Sequence, residues 1–521
     1  MRYDFDTVYE DQFSYIIDNQ KYIFKATLFN PDGDNLTLTK SQVKELKLYD
    51  NIFQPWIKGE IIIDNTEQAL ERFRTNPVDK ELKPGSKEIQ GYTTRGDGRD
   101  FIRIEIIPLN TTDQGYDENS DEFNKLFGLR YFFSISDEET VDLNNTECRR
   151  YIINDYDLEI LHERKTFFSS SQLVNTTESV TDLNNKDRES YTGDCLKKIL
   201  ALGLNGDDVV KLEENPDTGE YVSPKFESGS SRIFYSSPAN ASAYYDLMYI
   251  LKRHVGGSDK QDFSFLKKQN FSGEYTLQSA ATLFSKAFVQ SRNTGGELFV
   301  ENFTITGSSK EDTNIIETEK KSPDASLEFG EKSEILNYKF FNTPGRLYKE
   351  KIKTEAVHSY DFKNKKFNVD IFDSNAIAAK TKFSELYVTP LKGKNGKPAP
   401  NLPLTEMQKQ NLTFNNIFSE YGDNSDIRKS YGINKLLRNA LVTNMGVEII
   451  VKGQTLRRSG TFFSLDRAGD YIDNTFDNKL LGIYFIAEVQ HEFVNDTEYY
   501  NKIIGIKTYH YEDPKFREDM I

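Results

Sequence analysis

The stretch from Met445 to Tyr511 constrains the chain most, because it holds three strand patterns, the first two separated by a polar excursion and the last two by a turn. The first is Met445-Gly-Val-Glu-Ile-Ile-Val-Lys-Gly453, the second runs from Leu480 to Phe493, and the third runs from Glu498 to His510. In the second piece Ile483, Phe485, Ala487, Val489 and Phe493 alternate with Glu488, Gln490 and Glu492. Period-two alternation of this kind places one set on a core face and the other toward solvent. Asn495-Asp496 then supplies a hairpin turn. The pieces predict a small β-barrel closing on itself with one polar wall, and no reaction centre.

Other strand patterns precede it. Tyr22–Phe29, Val43–Tyr49, Trp56–Ile63, Phe101–Ile107, Gly128–Ile135 and Asp155–His162 read as strands at short spacing. They predict a first tube-like β-barrel over residues 1–170, with a polar insertion near 65–100 and a short helix at Glu67–Phe73. Helical signals follow. Thr192 is placed to N-cap Gly193–Leu202, with Gly203 at its end. Ser237-Pro238 opens a second helix over Ala239–Val255, and Thr276–Phe288 gives a third through Leu277, Ala280, Ala281, Phe284 and Phe288. Residues 171–322 therefore read as a mixed or helical middle domain. Strands return at Ile335–Phe341 and Ala356–Phe362, and a helix at Ile433–Asn444 leads into the last barrel. That barrel is expected over 323–365 and 430–515, with 366–429 as an insertion containing the loop Pro390–Pro400. The fold class expected is mainly β with an α+β middle region.

Charge narrows the partners. Eighty-two acidic against 66 basic side chains leave a net charge of −16 across 521 residues, which argues against a surface that grips nucleic acid or docks on an anionic membrane. Cys148 and Cys195 are too few for a disulfide framework. No apolar run reaches membrane-spanning length, and Met1–Thr7 has no apolar core of a signal peptide. Synthesis in a reducing cytosol is expected, so Asn-x-Thr triplets such as those at Asn110 and Asn495 are composition only.

Specific chemistry finds little support. His491-Glu492 begins a zinc-protease pattern, but position 495 is Asn and the pair lies on a strand. A histidine closing a strand against its neighbour explains it. The other histidines, His162, His254, His358 and His510, are scattered without a triad context. Arg95-Gly96-Asp97 sits in a glycine-punctuated loop that a hairpin turn accounts for. The abundance of carboxylates makes any glycosidase-like pair uninformative. Basic patches at Arg346–Lys353 and Lys363–Lys366 read as solvated sheet faces or, if functional, as contacts for an acidic protein neighbour. No catalytic, cofactor-binding or metal-binding residue is expected.

Two stretches carry a resemblance. Leu46-Lys-Leu-Tyr-Asp-Asn-Ile-Phe53 with Trp56–Asp64 is one; Gly446–Leu456, Leu481–His491 and Tyr499-Tyr-Asn-Lys-Ile503 are the other. Together they resemble the baseplate hub proteins of contractile-tailed bacteriophages, related in fold to the hub portion of type VI secretion spike proteins. The resemblance implies a virion protein assembled as a homotrimer, with two barrels per subunit making a pseudo-hexameric ring. Such a ring joins the tail tube protein to the spike protein, contacts baseplate wedge proteins, and lets DNA pass without specific binding. It implies no membrane insertion. Carboxylates on an inner wall would repel phosphates over about 8 Å at physiological salt, with Glu488, Gln490 and Glu492 the candidate lumen or interface residues. A distal-tail ring, a tail-tip adhesin and a glycan-degrading tail enzyme remain as alternatives.

Overall fold

The computed structural model describes residues 14–17, 20–29, 35–38, 42–65, 100–109, 128–143, 146–173, 189–206, 210, 213–214, 221–222, 225–229, 231–256, 263–269, 273–280, 282–283, 300–306, 316–319, 334–341, 354–361, 364–373, 417–420, 428, 432, 446–455, 457–468, 482–494 and 498–507. The expected helices at 67–73 and 433–444, the loops at 93–99 and 390–400 and the basic patch at 346–353 lie outside them.

The chain is mainly antiparallel β. Its first strands are β1 (Ser14–Ile17), β2 (Gln20–Phe29), β3 (Asn35–Leu38), β4 (Val43–Asn51), β5 (Lys58–Asp64), β6 (Phe101–Leu109), β7 (Leu129–Leu143) and β8 (Thr146–Asp155). Helix α1 (Tyr156–Glu163) opens a mixed region with β9 (Ser190–Tyr191), α2 (Thr192–Leu204), β10 (Glu213–Glu214), β11 (Tyr221–Val222), β12 (Arg232–Ile233), α3 (Ala243–Leu251), β13 (Ser264–Lys268) and β14 (Tyr275–Ser279). Then come β15 (Val300–Thr306), β16 (Ile316–Glu319), β17 (Glu334–Phe341), β18 (Thr354–Asp361), β19 (Lys366–Asp373), β20 (Ile417–Glu420), β21 (Gly446–Lys452), β22 (Phe462–Ala468), β23 (Gly482–Val494) and β24 (Glu498–Lys507).

Fifteen of these strands form one sheet, in the order β1-β2-β6-β7-β8-β5-β4-β23-β22-β15-β16-β17-β21-β24, with β3 on β2 and β24 returning to β23. The return closes the C-terminal part into a barrel; β15 and β22 are its parallel pair. Phe303, Ile449, Phe463, Tyr484, Val489 and Ile503 fill it. The N-terminal strands curl around a separate core of Phe24, Leu46, Ile61, Ile104, Phe133 and Ile153. Phe493 and Tyr499, from the tip of the β23–β24 hairpin, also belong to that N-terminal core. Their rings stack at 4.0 Å, and Phe24 meets Phe493 at 5.3 Å. The last hairpin therefore serves both cores.

Four expectations change. Asp155–His162 is not a strand: β8 ends at Asp155, whose carboxylate accepts from Asp157 N at 3.0 Å and caps α1. The run alternates polar and apolar, but a capping Asp, acidic Asp157 and Glu159 in the first turn and His162 in the last decide for helix. Conversely, Tyr275–Ser279 is a strand paired with Ser264–Lys268, although Thr276–Phe288 has helical spacing. The neighbouring apolar run at Phe263–Leu266 supplies the partner a short ambiguous stretch needs. Helical backbone begins only at Ala280, where Ser279 Oγ accepts from Thr282 N at 3.2 Å.

The α2 boundaries also shift. Thr192 is its first residue, and its hydroxyl lies 2.8 Å from Ser231 Oγ and 2.9 Å from His254 Nδ1. Gly203 lies inside α2, and a Cβ there would stand 2.4 Å from Leu161 Cδ2 and 3.0 Å from Ala243 Cβ. It is small so that α1 and α3 can approach, and the left-handed end falls on Asn205 at φ 59°. Helix α3 is capped by Ser242, whose hydroxyl accepts from Tyr245 N. Ser237 instead donates to the buried Asp246 carboxylate, as does Tyr235 at 2.6 Å.

Candidate interface and channel wall

β23 decides how the polar wall is built. Its first half pairs with β22, its second half with β4, and β24 runs along its other edge. A bulge between Ile486 and Glu488 lets one strand serve both neighbours. It also breaks the simple alternation. Val489, His491 and Phe493 point inward after the bulge, whereas the inward residues before it are Tyr484 and Ile486. Phe485 is buried on the opposite side, 5.3 Å from Phe462 and 5.6 Å from Phe265 of β13. The expected single face is thus divided by one extra residue between Phe485 and Val489; the side chain of Ile483 lies outside the described residues.

Glu488, Gln490 and Glu492 lie together, half-buried, on the outward face of β23. Registry carries that face across neighbouring strands. Glu492 stands opposite Lys47, and Lys47 opposite Glu60. Lys47 Nζ is 3.5 Å from Glu492 Oε1 and also pairs with Glu45. Arg150 Nη2 reaches Glu60 Oε2 at 2.8 Å, and its other nitrogen reaches Glu139 at 2.5 Å. On the barrel side Gln490 faces Lys502, which pairs with Glu448 at 3.2 Å. Asn51 Nδ2 donates to Glu488 Oε2 at 2.9 Å, and Gln490 Nε2 donates to Glu492 Oε2 at 3.3 Å.

The wall alternates in sign. Burial pulls the Lys47 ammonium down, but Glu45, Glu492 and Glu60 outweigh it and hold the group above its ordinary value. Hydrogen bonds to Glu60 and Glu139 likewise raise Arg150. The acidity of the composition is not concentrated here. Each of these amines already has a carboxylate.

Beneath one end of the wall lies a buried polar seam where distant segments meet. Asp50, at the inward end of β4, takes Lys267 of β13, together with Ser459 N at 3.0 Å and Ser459 Oγ at 2.7 Å. Burial pushes the Asp50 carboxyl up, but Lys267 and Ser459 overcome it and keep it below the usual carboxylate range. Lys267 also donates to Asn51 O at 3.1 Å. Next to it, Lys268 reaches Asp155 at 2.8 Å and Asp157 at 2.7 Å, while Trp56 Nε1 donates to Tyr275 Oη and Tyr275 to Asp157. Sequence reading missed Asp50 and Lys267. The signal was present: Asp50 continues the inward positions Leu46 and Leu48, and a carboxylate there needs a cation.

His491 is in the barrel wall. Its Nδ1 lies 2.7 Å from Tyr499 Oη and 2.9 Å from Asn501 Nδ2, and burial lowers it to about 4. That geometry closes β23 onto β24. Elsewhere His162 stacks on Tyr244 at 3.8 Å, and burial lowers His254 to about 3. Among the described residues no three His, Cys, Asp or Glu side chains gather to hold a metal ion, and no helix is long and apolar enough to cross a membrane.

No protein-family model and no curated protein matches the chain. Among solved structures it is similar to a tail protein from Neisseria meningitidis MC58, at 9% identity over 94% of this chain and 98% of that one, with a TM-score of 0.41. A 43 kDa tail protein of prophage MuSo2 from Shewanella oneidensis gives 9% identity over 93% and 98%, with a TM-score of 0.40. A chain of the phage P2 baseplate in its activated conformation gives 9% over 93% and 99%, with a TM-score of 0.26. Phage tail and baseplate proteins are thus what this chain is similar to. Likenesses at these TM-scores carry no functional argument, which rests instead on the chain's own sheet.

Proposed function

We propose that this protein is a structural component of a phage tail baseplate, its central hub, and not an enzyme. The observation that carries the reading is the double pairing of β23, which fuses two β-units into one sheet with one outward polar wall. Two β-units per subunit, if each takes a tube-like form, allow three copies to present six similar units around an axis. Such a ring matches a six-fold tail tube on one side and a three-fold spike on the other. Glu488, Gln490 and Glu492 then face either the central channel or a neighbouring copy.

The alternating charges suit a channel wall. A phosphate backbone is held by cations able to displace its counterions. On this wall Lys47, Arg150 and Lys502 are already paired with carboxylates. DNA would meet little uncompensated positive charge and would slide.

Light scattering on the purified chain, with negative-stain images of it mixed with a spike partner, tests the reading. A trimer forming a ring with a central hole is expected. A monomer at every concentration, binding no spike, would overturn it.

A further inference from the structure

The β13–β14 hairpin carries two consecutive lysines, and they are held in different ways. Neighbouring residues on a strand point to opposite faces. Lys267 reaches Asp50 and Asn51 O at the end of β4, where Ser459 also meets Asp50. Lys268 reaches the junction of β8 and α1, with its ammonium 2.8 Å from Asp155 and 2.7 Å from Asp157. One hairpin of the middle region thus grips the large sheet at two points.

The charge balance differs between them. Asp50 is one carboxylate facing one ammonium, and Ser459 gives it two further hydrogen bonds. At the second point two carboxylates share one ammonium. Asp155 is fully enclosed. Its Oδ1 accepts from Lys268 and from Asp157 N, while its buried Oδ2 has no hydrogen-bond partner among the described residues. An enclosed carboxylate oxygen without a donor is costly as an anion, and a second carboxylate beside it adds repulsion.

The titratable groups facing Asp155 are Lys268 from β13, Asp157 from α1, Tyr275 from β14 and Tyr131 from β7. Burial holds both phenols well above their ordinary value, so neither carries charge near neutral pH. In register, β7 sets Phe133 opposite Asp155, and the closest charged position on β5 is the exposed Lys58, opposite Asn154. Lys268 is the one cation in that set. Enclosure outweighs its pull and brings the Asp155 carboxyl up to about 6.

We propose that the β13–β14 hairpin is a pH-sensitive joint between the middle region and the large sheet. Lys267–Asp50 is its fixed pivot, and Lys268–Asp155–Asp157 is a clasp that tightens when Asp155 takes up a proton and loosens when the proton is lost. With Asp155 neutral, Lys268 and Asp157 balance as one cation and one anion. With Asp155 ionised, the cluster holds one excess negative charge, which opening to water relieves. The joint does not depend on the hub reading.

The test uses the full chain and its single tryptophan, Trp56, whose indole N–H donates to Tyr275 Oη at 2.8 Å beside the clasp. Hydrogen exchange is followed at pH 5, 6, 7 and 8, corrected for intrinsic rates, at three N–H groups. Two lie at the clasp, Trp56 Nε1 and Lys268 N, which donates to Pro55 O. The third, Ser459 N, donates to Asp50 at the pivot. An opened clasp lets Asp155 titrate near its ordinary 3.8. Its closure is therefore strongest below that value and weakens as pH rises through about 6. Corrected exchange at the two clasp groups should quicken roughly tenfold between pH 5 and 7 and level off above, while Ser459 N stays flat.

Asp155→Asn keeps an acceptor for Asp157 N and cannot ionise, so its clasp exchange should stay near the wild-type pH 5 rate throughout. Flat wild-type rates at Trp56 and Lys268 would overturn the joint whether or not the variant folds. So would a variant that keeps the rise. An equal rise at Ser459 N would overturn the pivot, since the whole seam would then be opening together.

Discussion

At the seam, Asp50 and Lys267 meet with side chains 1% and 9% exposed; on the wall, Lys47 and Glu492 meet with 23% and 27% exposed. Both are acid–amine pairs joining distant segments. The seam pair is enclosed, with Ser459 and Asn51 O completing its hydrogen bonds. The wall pair keeps solvent, and its members have further partners in Glu45 and Gln490. The difference separates two uses of charge. A buried pair fixes where three parts of the chain meet, because either member left alone is a charge out of water. A half-exposed pair sets the sign of a surface and adds little stability.

The largest expected effect is therefore at the seam. Lys267→Met should lower unfolding free energy by about 3–5 kcal/mol, the range for stranding one member of a buried pair. Urea unfolding measures it. A loss of less than about 1 kcal/mol would mean the seam behaves like the wall, and the comparison would collapse.

A second expectation sharpens the seam by pH. Burial raises the Asp155 carboxyl to about 6 against the pull of Lys268, and Asp157 adds to the rise. The folded state thus takes up this proton before the unfolded state, whose carboxyl titrates near 3.8. Its contribution is complete below that value and is lost as pH rises through about 6. His254 and His491 run the opposite way, since burial lowers them to about 3 and about 4 from 6.5. Their contribution is complete above 6.5 and is lost as pH falls. Between pH 6 and 4 the two slopes oppose each other in wild type. Asp155→Asn keeps an N-cap for α1 and removes one slope, so the variant should lose stability more steeply on acidification. Thermal unfolding midpoints at pH 4, 5 and 6 decide it; a shallower decline in the variant would refute the assignment.

Much of this frame was legible in the sequence. The strands at Val43–Tyr49, Phe101–Ile107 and Gly128–Ile135 alternate cleanly, and the structure keeps them. Three strands of the closing pattern, β21, β23 and β24, were readable because Gly, Asn and Asp punctuate them, whereas β22 (Phe462–Ala468) lies in what read as a polar excursion. What escaped was set by tertiary contact. Tyr275–Ser279 became strand because β13 lay beside it, and Asp155–Glu163 became helix because one carboxylate capped it. The bulge at Ile486/Glu488 left no local mark; it answers to β22, the strand just before β23, and to β4, hundreds of residues upstream. Glu488, Gln490 and Glu492 were found as one polar set by parity alone. Their amine partners were not, because registry between β23 and β4 is a property of the folded sheet.

The smallest expected effect lies on the wall and bears most directly on how the two regions differ. Glu492→Gln keeps size and hydrogen bonding while removing one charge beside Lys47, which retains Glu45 as a partner. Half-exposed pairs contribute roughly 0–1 kcal/mol and are screened by salt. Stability of the variant should stay within about 1 kcal/mol of wild type at low salt and converge on it at high salt. Retention of duplex DNA by the assembled ring should rise slightly instead, since the wall loses one negative charge that repels phosphate. A double-mutant cycle with Lys47→Met isolates the pair. A coupling energy as large as the seam's would mean the wall is a buried interface between copies, and would move Glu492 from the channel to the subunit contact.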